Sequence, residues 1–133
     1  MGNETINYQL NQWEATDDFL RTDFNEDNAK IDAALSEKSG LVFGTYTGDG
    51  AADRSFDLGF APKAVYVCTQ SGMAGIISGN EQCYGGLALP GYPLKLGSNV
   101  AMALSDTGFI ISVTSNYIGI NRTNMNYYYF AVK

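Results

Sequence analysis

The hydrophobic pattern of this chain changes character near residue 40. Before it, apolar residues fall at Leu20, Phe24, Ile31 and Leu35. Placing Asn28 among them gives steps of four, four, three and four, the spacing of one helix face. This predicts a helix from about Asp23 to Lys38, with Thr22 as a capping residue and Asp23 and Glu26 at the positive end of its dipole. Ala29, Ala33 and Ala34 favour it further. Steps alternating between four and three are the seam of a coiled coil, in which a polar residue such as Asn28 can fix register. The helix is about 24 Å long at 1.5 Å per residue. A lone helix of that length is marginal in water, so it needs a partner surface. Two surfaces are open: the chain's own β domain, or further copies of the same helix.

After Gly40, placed to end the helix, short alternating runs separated by turn residues replace the helical period. Strands are predicted over 41–47, 54–58, 63–69, 100–104, 109–114 and 126–132. Short strands are expected at Ile76-Ile77 and over 117–120. The stretch 83–97, with Gly85-Gly86, Pro90 and Pro93, reads as a long irregular loop. About eight strands predict an antiparallel β-sandwich. The fold class is therefore mainly β: an N-terminal extended segment plus helix (1–39), then a β-sandwich domain (40–133).

Charge divides at the same boundary. Residues 1–39 carry nine acids and three bases; residues 40–133 carry five of each, so the whole net charge of −6 lies in the front segment. An acidic chain is a poor partner for nucleic acid. No apolar run is long enough for a transmembrane helix, and the polar, acidic first residues do not read as a signal peptide.

The chain has no histidine. That removes the commonest general base and the Ser–His and Cys–His pairs. Cys68 and Cys83 lack C-x-x-C spacing, and free thiols are favoured over a disulfide. Gly44, Gly48 and Gly50 lack the Gly-Lys-Ser/Thr continuation of a phosphate loop and read as a hairpin turn. Asp49, Asp53 and Asp57 lack the calcium-loop pattern. No catalytic residue, metal site or cofactor is expected. A glycan hydrolase would need two positioned carboxylates, and Asp49, Asp53, Asp57, Glu81 and Asp106 fall mostly at turns.

Three aromatic and amide features remain. Trp13, the single tryptophan, reads as a packing anchor against the helix or a ligand platform. In the run Tyr127-Tyr128-Tyr129-Phe130 alternate residues face opposite ways, so one pair must leave the core; Tyr127 and Tyr129 are assigned to a subunit interface. Tyr84, Tyr92, Tyr117, Asn121, Arg122 and Asn124 lie in loops rich in amides and tyrosines. Such groups can hydrogen-bond sugar hydroxyls and stack on a sugar face, though the same composition also makes ordinary turns.

The front segment resembles the start of many tailed-phage and prophage tail-fibre proteins in Asp23-Phe24-Asn25, Asn28 and Lys30-Ile31-Asp32-Ala33-Ala34-Leu35, with Leu10-Asn11-Gln12-Trp13 as a similar lead-in. The back half is similar to small fibre tip domains through 47–50, 54–65 and the aromatic finish 127–133. The resemblance spans nearly the whole chain. It differs from many fibres in having no long shaft between the two parts.

The resemblance implies a homotrimer with a short helical bundle at Leu20, Phe24, Asn28, Ile31 and Leu35. It also implies attachment to other tail or baseplate proteins through the N-terminus, and contact with bacterial surface carbohydrate through the β loops. The implied location is the virion tail, assembled in the host cytoplasm and acting outside the cell, with no enzymatic activity, no nucleic-acid partner and no membrane insertion. A tail or baseplate adaptor without receptor contact is the alternative.

Overall fold

The computed structural model describes residues 3–38, 40–76 and 81–133. The chain divides into two compact units, Met1–Ser39 and Gly40–Lys133.

In the first unit, β1 (Asn3–Glu4) and β2 (Asn11–Gln12) form a small antiparallel hairpin, followed by α1 (Arg21–Glu37). The helix starts two residues before the predicted Asp23. Thr22 therefore sits inside its first turn, and Leu20 occupies the N-cap with no side-chain bond. At the other end Lys38 is already extended, so the helix stops short of Gly40. Polar contacts hold the helix to the hairpin. The Asp27 carboxylate accepts from the Asn11 backbone N–H (3.1 Å) and side-chain amide (3.0 Å), and Lys30 Nζ donates to the Gln9 carbonyl (2.6 Å). Trp13 stacks on Phe19 at 4.6 Å and on Phe24 at 6.0 Å, which makes it a packing anchor against the helix. No helix residue is buried, and Leu20, Phe24, Ile31 and Leu35 all remain exposed.

Among the described residues the second unit holds ten strands: β3 (Leu41–Thr47), β4 (Asp53–Asp57), β5 (Ala64–Thr69), β6 (Gly75–Ile76), β7 (Gln82–Cys83), β8 (Gly86–Ala88), β9 (Leu94–Leu96), β10 (Asn99–Leu104), β11 (Gly108–Ser112) and β12 (Asn126–Val132). Eight of them build two antiparallel four-stranded sheets, ordered β3-β12-β5-β8 and β4-β11-β10-β9, and β6 pairs with β7. The inner faces share one core, in which Tyr46, Val65, Val67, Tyr127 and Ala131 from one sheet meet Ala101, Met102, Phe109 and Ile111 from the other.

Alternation places these residues inward, most regularly in β5, where Val65, Val67 and Thr69 are buried. Phe56 stacks on Phe109 at 4.6 Å, and Phe109 meets Tyr129 edge-on at 5.2 Å. Truncating the fully buried Phe109 to alanine is expected to cost about 3–5 kcal/mol. Gly44 faces Tyr129 across the β3–β12 ladder, and a Cβ there would run into the tyrosine ring.

Four expectations change. The stretch 83–97 contains β8 and β9 rather than a featureless loop. Pro90 and Gly91 sit centrally in a tight turn closed by reciprocal Leu89–Tyr92 backbone bonds of 2.9 and 3.0 Å, with Gly91 at φ 76°. That turn carries the chain from one sheet to the other, so its punctuation marks a crossing between two strands. The Gly48–Gly50 turn likewise connects strands of different sheets and closes no hairpin. Residues 117–120 form a turn with one bridge, Ile118 to Cys83, instead of a strand. Of the expected Ile76-Ile77 strand, Ile77 lies outside the described residues. Finally, Tyr127 and Tyr129 point into the chain's own core, Tyr127 fully buried and Tyr129 partly so, and Tyr127 therefore has no surface to offer another subunit; register turns Tyr128 and Phe130 outward instead. Cys68 and Cys83 are both free thiols, and burial pushes the Cys83 thiol pKa up.

Candidate functional site

Strand register gives the second unit two distinct ends. Leu41, Val132 and Ala64 lie side by side at one, where Lys133 N–H donates to the Gly40 carbonyl (2.8 Å). Thr47, Asn126 and Thr69 mark the other, which a seven-residue strand puts about 20 Å away. At this far end three connections converge: 48–52, the turn after Thr69, and the long loop 113–125.

The loop is fastened from beneath. Tyr46 donates its hydroxyl to the Ile120 carbonyl (2.6 Å). Tyr127 donates to the Gly119 carbonyl and accepts from the Arg122 N–H (3.0 Å). Burial raises both phenol pKa values, so each remains a protonated donor. Asn121, 1% exposed, uses its whole amide to tie two connections together. Its Nδ2 donates to Asp49 Oδ1 (2.7 Å) and the Ala51 carbonyl (3.1 Å), and its Oδ1 accepts from the Asp49 N–H (3.2 Å). Gly48 passes so close that a Cβ would strike the Arg122 carbonyl. Asp49 completes the clamp. The Ala51 N–H, the Asn121 amide and the Arg54 guanidinium (3.7 Å) hold its carboxyl below the usual range.

On one side of this loop lies a trough of about 580 Å³. It runs between Gln70, Ser71 and Met73 on one wall and Thr123, Asn124 and Asn126 on the other, with no charged residue among the described residues of its lining. Its walls are braced. Met73 and Thr69 exchange bonds of 2.9–3.0 Å, Asn126 Nδ2 donates to Gln70 Oε1 (3.3 Å), and Thr47 Oγ1 donates to Asn126 Oδ1 (2.8 Å). The trough falls within the roughly 300–1,000 Å³ of small-ligand sites. Hydroxyls, amides and two thioether side chains can hydrogen-bond and cover a neutral polyol. On the other side of the loop a smaller cleft of about 290 Å³ opens beside Gly50, Asn116 and Arg122.

The six residues assigned to sugar contact are thus separated. Arg122 and Asn124 are exposed at the far end and Tyr117 is half-exposed there. Tyr84 is buried, with the Arg122 guanidinium 4.8 Å above its ring, and so offers no free stacking face. Asn121 is spent on the clamp. Tyr92 is 76% exposed, but its turn follows Ala88, which pairs with Val65 at the Gly40 end. Loop composition could not reveal this, because hairpin direction decides which end a loop occupies. Gln70, Ser71, Thr123 and Asn126 were missed. Gln70 and Ser71 follow a strand with only Gly72 as a turn signal, and Asn126 is a strand residue.

Among the described residues no group of three His, Cys, Asp or Glu side chains could hold a metal, and no helix is long and apolar enough to cross a membrane. Comparison with family models, with curated proteins and with solved structures finds no match.

Proposed function

We propose that this chain is a receptor-binding protein of the phage tail-fibre type. In this reading it is a non-enzymatic homotrimer of the virion tail, joined through its helical front segment and recognising bacterial surface carbohydrate with its β-sandwich tip. One observation carries it: an uncharged trough of amides and hydroxyls opens at the end of the β unit farthest from Gly40, where the chain arrives from the helical segment. The resemblance of 23–35 and of the lead-in 10–13 to fibre starts supports the same polarity, attachment in front and contact at the far end. Neutral amides and hydroxyls suit a neutral glycan, and three-fold presentation multiplies a weak single contact.

The test is binding of the full chain to a panel of intact bacteria and of surface polysaccharides purified from them. The parent is expected to bind at least one, and Gln70→Ala combined with Asn124→Gly to weaken that binding at least tenfold. Retained binding by this variant would overturn the site. An oligomeric parent that binds no cell or polysaccharide in the panel would overturn receptor recognition and leave the tail or baseplate adaptor.

A further inference from the structure

The outer face of the β3-β12-β5-β8 sheet is apolar across its full width. Its central row is defined by register: Phe43 opposite Phe130, Phe130 opposite Tyr66, and Tyr66 opposite Leu87. Phe130 lies 5.6 Å from Tyr66 and 6.4 Å from Phe43 between ring centroids. Leu41 and Tyr128 flank the row. Phe43 is 73% exposed, Leu41 59%, Leu87 50% and Tyr128 44%. An antiparallel sheet with one solvated face ordinarily shows polar residues there. Here the outward positions of the four strands carry no charged residue at all.

We infer that this face is an interface with other copies of the same chain, the outer sheets of neighbouring β units packing against one another. Two properties point to this occupant. The first is charge. Residues 40–133 carry five acids and five bases, and the face is uncharged, so copies meet without repulsion. The front segment is strongly acidic, and the face offers it no cation. The second is area. Taking about 150–250 Å² for an aromatic side chain, the apolar residues of the face leave on the order of 500 Å² accessible, the upper part of the roughly 300–600 Å² of the largest patch on an ordinary monomer. The exposed Thr45, Thr47 and Asn126 on the same face extend it toward the roughly 800 Å² that one partner gives a standard stable interface. Arrangement of three such faces around one axis rests on the fibre reading; coverage of the face by another copy does not.

The experiment is tyrosine nitration of the full chain, read residue by residue by mass spectrometry at concentrations spanning the assembly measured by light scattering. Tyr117 and Tyr128 are equally accessible within one chain, at 48% and 44%. In the assembly Tyr128 is expected to react at least tenfold more slowly than Tyr117, and on dilution to the monomer the two should converge. Phe43→Glu with Leu87→Glu, both exposed, should abolish the protection and lower the mass while the circular dichroism of the β unit persists.

Equal nitration in an assembled parent would overturn this interface while leaving helix-driven trimerisation intact. A dimer mass with Tyr128 protected would support the interface and overturn the threefold reading. Protection that persists in the monomer would place the chain's own front segment on the face and overturn the proposal, as would a parent that stays monomeric at every concentration.

Discussion

Tyr46 and Tyr127 stack at 4.7 Å between ring centroids with planes 11° apart, and both hydroxyls end on the same four-residue stretch, 119–122. The rings belong to the core and the oxygens to the loop above it. Packing between the sheets is thereby linked directly to the position of Arg122, Thr123 and Asn124. Tyr46→Phe deletes one hydrogen bond and Tyr127→Phe deletes two. At about 1 kcal/mol for each bond, urea unfolding should rank Tyr127→Phe as roughly twice as destabilising. Equal losses would mean that the Arg122 N–H finds another partner.

The raised phenol pKa values give that pair an alkaline signature. A group whose pKa is higher in the folded state keeps its full stabilising effect below the unfolded value, about 10 for tyrosine, and loses it as pH rises further. Stability of the parent should therefore fall above about pH 10, and the fall should be shallower in the Tyr46→Phe, Tyr127→Phe double variant. Urea midpoints measured across that range check it, and identical slopes would refute it.

Asp49 acts in the opposite direction. Its carboxyl is held low by the Ala51 N–H, the Asn121 amide and Arg54, so its contribution is present above the ordinary aspartate value of about 3.9 and disappears as pH falls through the lowered one. Asp49→Asn should be less stable than the parent by a constant margin between about pH 5 and 8, and the margin should close in acid. Because the carboxylate is about half exposed and screened by solvent, the margin is small. A margin that widens on acidification would contradict the assignment.

Strand periodicity made much of this fold legible. Leu41–Thr47 and Asn126–Val132 fall where alternation placed them, because each has a buried face and only one register buries it. Strand partners were not legible, and the errors at Tyr127 and Tyr129 follow from that. Alternation says that 127 and 129 share a face, but only the stack of Tyr127 on Tyr46 and the gap left by Gly44 for Tyr129 decide which face it is. The site suffered similarly. Asn121 and Asn124 are alike in sequence, yet one lies beneath the loop and the other at its surface. Asn124 takes φ 63°, a conformation asparagine tolerates better than most residues, and its side chain is left exposed.

These two asparagines separate structure from recognition. Asn121→Ala strands the Asp49 N–H and the Ala51 carbonyl and is expected to cost about 1–3 kcal/mol by denaturant unfolding. Asn124→Gly keeps the positive φ and removes only an exposed side chain, so its stability should stay within about 0.5 kcal/mol of the parent. On the proposed function it is also the variant that loses carbohydrate. If Asn124→Gly bound as well as the parent while Asn121→Ala bound worse, the loop's shape rather than its trough-facing amide would determine recognition.

The front helix yields the last prediction. Its polar side is engaged: Asp27 and Lys30 reach the hairpin, and Trp13 covers part of Phe24. Its apolar side is not, for Ile31 is 41% exposed and Leu35 64%, although the helix has 17 residues and lacks a single buried side chain. Such a helix gains most of its stability from packing its apolar stripe. In a trimer, Ile31 and Leu35 from three chains would pack against one another with Asn28 one turn away. The full chain should then weigh about 43 kDa by light scattering, three times 14.4 kDa. Ile31→Asp with Leu35→Asp should lower the mass and remove helical circular dichroism, leaving the β signal intact. An unchanged mass would transfer the assembly to the outer sheet face alone, and retained helicity in a monomer would show that hairpin contacts suffice to hold the helix.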